Sequence, residues 1–196
     1  MVNLSNQQKG SLLAFVGVMF ITPDSLFIRL SSIDTWELLF YRGAIPSVVI
    51  LIALILFYKS NLIKVTLAMG LAGLFYALTF SITNITFIVS IQNTNVANTL
   101  VMIATAPMLS AILAAVFLKE NPDRNTWIAI LITFLAVVYI FFDSFKLGNF
   151  FGDIFGLITA LGLAVGANII RSVRDKDLVP AAVIGKFLVA IFALFF

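Results

Sequence analysis

The chain has 196 residues, of which 62% are hydrophobic and only 11% charged, with a formal net charge of +3; soluble domains carry about a quarter charged residues. With a mean hydropathy of +1.13, this composition excludes an ordinary soluble domain and makes the lipid bilayer the first partner. There is no cysteine and no histidine, hence no disulfide frame, no thiol nucleophile and no imidazole for metal binding or acid–base work, so most enzyme chemistries are disfavoured and no cofactor is expected.

Apolar windows of about 19 residues fall near 11–31, 36–58, 65–87, 96–118, 126–142, 152–171 and 178–196. Backbone groups find no water in hydrocarbon, so these windows are expected to be helices. Runs such as SVVILIALILF do not alternate as barrel strands do. The predicted fold class is therefore all-α, a polytopic membrane helix bundle. No small-residue cleavage site follows the first window, which reads as a retained span.

In the first window, ITPDSLFIRL sets Pro23 beside Asp24 within apolar surroundings. A proline inside a helix removes one backbone bond and frees a carbonyl one turn earlier, near Met19. That is tolerable in a membrane where protein or a wet cavity satisfies it. Asp24 lies about seven residues, or about 10 Å, in from an outer boundary near residue 31. Arg42, in the second window, lies about 9 Å in from the same side. An unpaired ion at such depth costs several kcal/mol, so an Asp24–Arg42 pair is expected, lining the outer part of a substrate cavity or fixing two neighbouring helices.

The third window carries Thr79, Thr83 and Thr86 at three-to-four spacing, one polar stripe in which Thr79 and Thr83 are substrate-binding candidates. Hydroxyls that bond back to their own helix are the plainer reading. Residues 92 to 95 are expected as an external turn, and Asn98, in the first turn of the fourth helix, can offer its amide to a solute. At the far end of that helix Lys119, Glu120, Asp123 and Arg124 anchor the boundary. Gly70, Gly73, Gly162 and Gly166 are expected to mark helix-packing faces. Asp153 is expected at the outer surface, at the start of the sixth helix, too far out to share a proton with Asp24 as an intramembrane aspartyl protease requires.

Orientation follows from the loop cations. With a cytoplasmic N-terminus, the inside receives Lys9, Lys59, Lys64, Lys119, Arg124, Arg171, Arg174 and Lys176, and the outside only Arg29 and Lys146. Arg42 and Lys186 fall inside predicted spans. The net positive charge is thus a topology signal, and no nucleic-acid motif accompanies it. Residues 10–29 and 152–171 both run from Gly to Arg over the same spacing. They would insert in opposite senses, as inverted transporter repeats do.

The stretch ANTLVMIATAPMLSAILAAVFLKENPDRNTWIAILITFLAVVYIF resembles EamA-type members of the drug/metabolite transporter superfamily, through Pro107, Glu120 and the apolar helix that follows. The likeness extends back through PDSLFIRL and WELLFYRG and forward to Gly152-Asp153. It implies ten helices in two inverted five-helix halves around a central substrate path, here residues 1–147 as the first repeat and 148–196 as the opening of a second, incomplete one. About three helices of that plan are missing. The expectation is a truncated record, or else a short form that completes its wall by association, as in a homo-oligomer. No Gly-x-x-x-x-Gly-Lys-Ser/Thr motif is present. The expected activity is secondary transport of a small organic molecule across a bacterial inner membrane by alternating access. Asp24 is the candidate coupling group, although an arginine neighbour opposes its protonation. A non-transporting scaffold or defective fragment is the alternative.

Overall fold

A computed structural model describes residues 6–21, 23–147 and 150–196. Among the described residues ten α-helices run in chain order: α1 Asn6–Ile21, α2 Asp24–Leu30, α3 Thr35–Tyr58, α4 Leu62–Ala68, α5 Gly70–Asn93, α6 Val96–Ile103, α7 Ala106–Phe117, α8 Arg124–Leu147, α9 Phe150–Ser172 and α10 Val179–Ala193. The described residues contain no strand. The expected boundary between repeats falls on residues 148 and 149, outside the described residues, as does the Lys146 side chain. The chain forms two units, Met1–Ser32 and Ile33–Phe196.

In the first unit the window 11–31 is described as two helical stretches on either side of residue 22, which lies outside the described residues. α1 stops at Ile21, and Pro23 takes the N-cap position of α2. A residue with no N–H loses nothing at a helix start, where that donor has no intrahelical acceptor anyway. Its carbonyl accepts from Phe27 N at 3.0 Å and so opens α2.

In the second unit, Thr35–Ala68, Gly70–Asn93, Val96–Phe117 and Phe150–Ser172 are helical stretches long and apolar enough to cross a membrane. Arg124–Tyr139 and Val179–Ala193 are shorter apolar helices. Two boundaries differ from the sequence reading. Residues 65–68 belong to α4, and the third span starts at Gly70, which takes φ +57°, a value that glycine adopts without steric cost. α5 continues through Gln92 and Asn93, leaving the turn at Thr94 and Asn95. Asn93 Nδ2 bonds back to the Val89 carbonyl at 2.7 Å, and Gln92 accepts from Thr35 on α3. Polar side chains with such partners do not end a helix.

α9 is the central element and packs along α5, α6 and α7; α10 lies between α3 and α5. Small and hydroxyl-bearing residues face inward and large apolar ones outward. On α5 the buried set includes Gly73, Ala77, Ser81, Thr83, Thr86 and Ser90, while Leu71, Leu74, Phe75, Leu78 and Ile82 are exposed. This inversion of a soluble core is what a lipid solvent imposes. Tails are as apolar as leucine, so helices associate through close backbone approach and hydrogen bonds.

Contacts sort the helix ends onto two sides. Arg171 joins Glu120, Tyr58 donates to Asp177, and Lys176 Nζ lies nearest to the space over Gly70. The ends of α3, α7 and α9 and the starts of α5 and α10 therefore share one side, together with Lys59, Lys119, Arg174 and Lys176. Thr35 to Gln92, Thr94 to Asp153 and the stacking of Trp36 on Phe196 mark the other. These four loop cations of the second unit thus share one side, as a topology set by positive charge requires.

Candidate functional site

A seam of polar groups runs along α9, held by small residues that bring helices close. A Cβ on Gly152 would lie 2.5 Å from the Asn93 carbonyl carbon and 2.6 Å from Thr94 N. One on Gly156 would meet Met102 at 3.0 Å and Ser90 Oγ at 3.1 Å. One on Gly162 would strike the Thr83 hydroxyl, and one on Gly166 would touch the Tyr76 ring at 3.4 Å. Gly162 and Gly166 therefore serve helix packing as expected. Gly73 instead sits under the side chain of Met69, in the α4–α5 connection, rather than against a neighbouring helix.

The close approach positions four hydrogen-bonded steps. At the end beside the α5–α6 turn Thr94 Oγ1 donates to Asp153 Oδ1 at 2.6 Å. One turn further the hydroxyls of Ser90 and Thr99 lie 2.8 Å apart, and below them those of Thr86 and Thr159, also at 2.8 Å. Towards the other side Asn168 Nδ2 donates to Ser110 Oγ at 3.0 Å and to the Ala164 carbonyl at 2.8 Å. Beyond the seam Arg171 forks onto Glu120, with Nη2 to Oε1 at 2.6 Å, an exposed ion pair that ties α7 to α9.

Asp153 corrects the sequence reading. It is fully buried, at 0% exposure, rather than placed at the outer surface, because Gly152 admits the α5–α6 turn directly over it. Its Oδ2 has no hydrogen-bond partner among the described residues. The sequence signal was the Gly-Asp pair itself, a residue without a side chain beside a charge.

The other predicted residues are placed as follows. Asp24 is the first residue of α2 in the first unit, partly buried. Arg42 is partly buried on α3, and Asn98 is the third residue of α6. Thr79 is partly buried on α5, and its carbonyl accepts from Thr83 Oγ1 at 2.7 Å. Thr83 is buried against Gly162, with its hydroxyl bonded to its own helix. A groove of about 460 Å³ between α5 and α10 is lined by Leu78, Ile82, Ile85, Leu188 and Phe192, with Ser81 and Thr86 its polar contributors. The Thr86 hydroxyl is already engaged by Thr159 and the Ile82 carbonyl, so the groove is an apolar surface.

One residue that the sequence reading left unassigned is Lys186, midway along α10. It donates to Asn84 Oδ1 on α5 and lies 5.5 Å from the centroid of the Phe80 ring. A cation inside an apolar run was the available signal; its partner, 102 positions away, was not.

No curated protein and no solved structure matches the chain. The model of the EamA-like transporter family matches residues 8–142, which cover α2 to α7 and most of α1 and α8. That match covers more than half of the sequence, and the chain, an integral multi-pass helical membrane protein, belongs to the EamA-like transporter family.

Proposed function

We propose that the chain is a secondary transporter that moves a small organic metabolite across a bacterial inner membrane by alternating access, without ATP. Membership of a transporter family over residues 8–142 is the observation that carries this reading. The one-sided distribution of loop cations supports a cytoplasmic N-terminus, and the Gly-to-Arg repeat supports two halves of opposite sense. Solute contacts are assigned to Asp24, Arg42, Thr79, Thr83 and Asn98. Charged or amide groups at membrane depth are costly unless they serve a binding path. A homo-oligomer is a way of completing the wall of such a path.

The test is uptake of a panel of labelled amino acids, organic acids and amines into proteoliposomes containing the full chain. We expect saturable uptake of at least one solute with no ATP present, reduced at least tenfold by Asp24→Asn. Uptake indistinguishable from empty liposomes for every solute overturns the reading. Full activity in Asp24→Asn removes that residue from the site.

A further inference from the structure

Asp153 carries the one acidic side chain of α9, and it is fully enclosed. Buried charges are met by an opposite charge or by a bound ion, because desolvation alone costs several kcal/mol. The elements that cover Asp153 supply no such charge: α5, the turn at Thr94 and Asn95, and α6 contain no charged residue. The cation of α9, Arg171, stands in its last turn and is engaged by Glu120. Of the two carboxylate oxygens, Oδ1 accepts from Thr94 at 2.6 Å, whereas Oδ2 is buried with no hydrogen-bond partner among the described residues.

The backbone around this carboxylate is that of a cation site. Asp153 lies in the first turn of α9, where the helix dipole favours negative charge. Against it stands the end of α5, since a Cβ on Gly152 would lie 2.5 Å from the Asn93 carbonyl carbon. The last carbonyls of a helix have no intrahelical donor and carry its partial negative charge. One turn further along α9 the paired hydroxyls of Ser90 and Thr99 add two oxygens to the same seam. Carboxylate, hydroxyl and carbonyl oxygens are the ligands of hard cations, and helix ends supply them to the coupling ions of membrane carriers. A lone carboxylate balances one positive charge, so a divalent ion would leave an excess charge in the same buried space.

We propose that Asp153 binds a monovalent cation, sodium, between the start of α9 and the α5–α6 turn. Oδ2 supplies the charge and the carbonyls that end α5 supply further oxygens. The ion thereby offsets the repulsion between the carboxylate and the negative end of α5. On the transporter reading above, and resting on it, this is the ion whose gradient drives the solute.

The experiment is thermal unfolding of the full chain in neutral detergent at fixed ionic strength, with N-methylglucamine chloride exchanged stepwise for sodium chloride. Sodium is expected to raise the melting temperature in a saturable way, and calcium chloride is expected not to reproduce the effect. Asp153→Asn, which keeps an acceptor for Thr94 and removes the charge, should weaken the sodium response at least tenfold. Asp123→Asn, which removes an exposed carboxylate from the loop before α8, should leave it unchanged. Asp153→Ser takes the place of Asp153→Asn if the latter does not fold, and radioactive sodium bound by the unaltered chain should saturate at one ion per chain in either case. No sodium response, a response to calcium alone, or a sodium response undiminished by loss of the Asp153 charge overturns the proposal. Uptake measured separately distinguishes the two readings. Sodium binding that needs Asp153, with no uptake of any solute, keeps the site and removes transport. Uptake by a chain that binds no sodium removes the site and leaves the transporter, and uptake indifferent to a sodium gradient in a chain that does bind it removes the driving role.

Discussion

A single hydroxyl closes the only hydrogen bond that reaches the Asp153 carboxylate among the described residues. Thr94→Val should therefore cost about 1–3 kcal/mol, the range for leaving a buried polar group without a partner. Thr133→Val, which removes a bond from an exposed hydroxyl to the Ala129 carbonyl, should stay within about 0.5 kcal/mol. Equilibrium unfolding in mixed micelles compares the two, and equal losses would contradict the burial of Asp153. Asp123 lies in the loop before α8, where the Thr126 hydroxyl and then the Thr126 backbone N–H hold its carboxyl below the usual carboxylate range. A folded value lowered in this way contributes stability above the unfolded pKa, and that contribution is lost as pH falls through the folded pKa. A carboxyl-carbon titration should place the Asp123 midpoint below about 3.9, the value for a free aspartate. Thr126→Val should move it upward; a midpoint unmoved by that change contradicts the assignment.

Between elements, glycine is the determinant. A side chain on Gly152 meets backbone atoms of Asn93 and Thr94 rather than a flexible side-chain tip, so the helices must separate to admit it. Gly152→Val is expected to cost about 1–3 kcal/mol or more, as overpacking does, and to lower the melting temperature and the yield of folded protein. Gly17, with nothing within 4 Å of a Cβ, is the comparison. Gly17→Ala should be neutral or stabilise by about 0.5–1 kcal/mol, as alanine does in a helix interior. A tolerated Gly152→Val would mean that α9 does not approach the α5–α6 turn so closely. Helix positions were legible because hydrophobic runs of bilayer length leave few alternatives. Breaks were less so. Pro23 is compatible with a kink or a start, and it stands at the N-cap position of α2. Gln92 and Asn93 look like a turn by composition, but their hydrogen bonds extend α5.

For the whole molecule, the alternation of helix ends follows from hydropathy and loop charge, which act locally and can be read along the chain. The seam along α9 does not, because Thr86 with Thr159, Thr94 with Asp153 and Lys186 with Asn84 are partners only once the helices pack. The absence of cysteine makes topology directly measurable. Single cysteines placed at Lys119 and Asn95, exposed on opposite sides of the second unit, should react with an impermeant maleimide from opposite faces of the membrane. Lys119→Cys should be labelled from the cytoplasm and Asn95→Cys from outside; labelling of both from one face contradicts the bundle. Alternating access makes the sharper demand. In proteoliposomes preloaded with unlabelled solute, entry of the labelled solute should be faster than into empty vesicles, because a loaded carrier returns to its outward-facing state more readily than an empty one. Entry that is saturable and accelerated by internal solute is the predicted result. No carrier-dependent entry, or entry at a rate indifferent to what lies inside, would contradict the account.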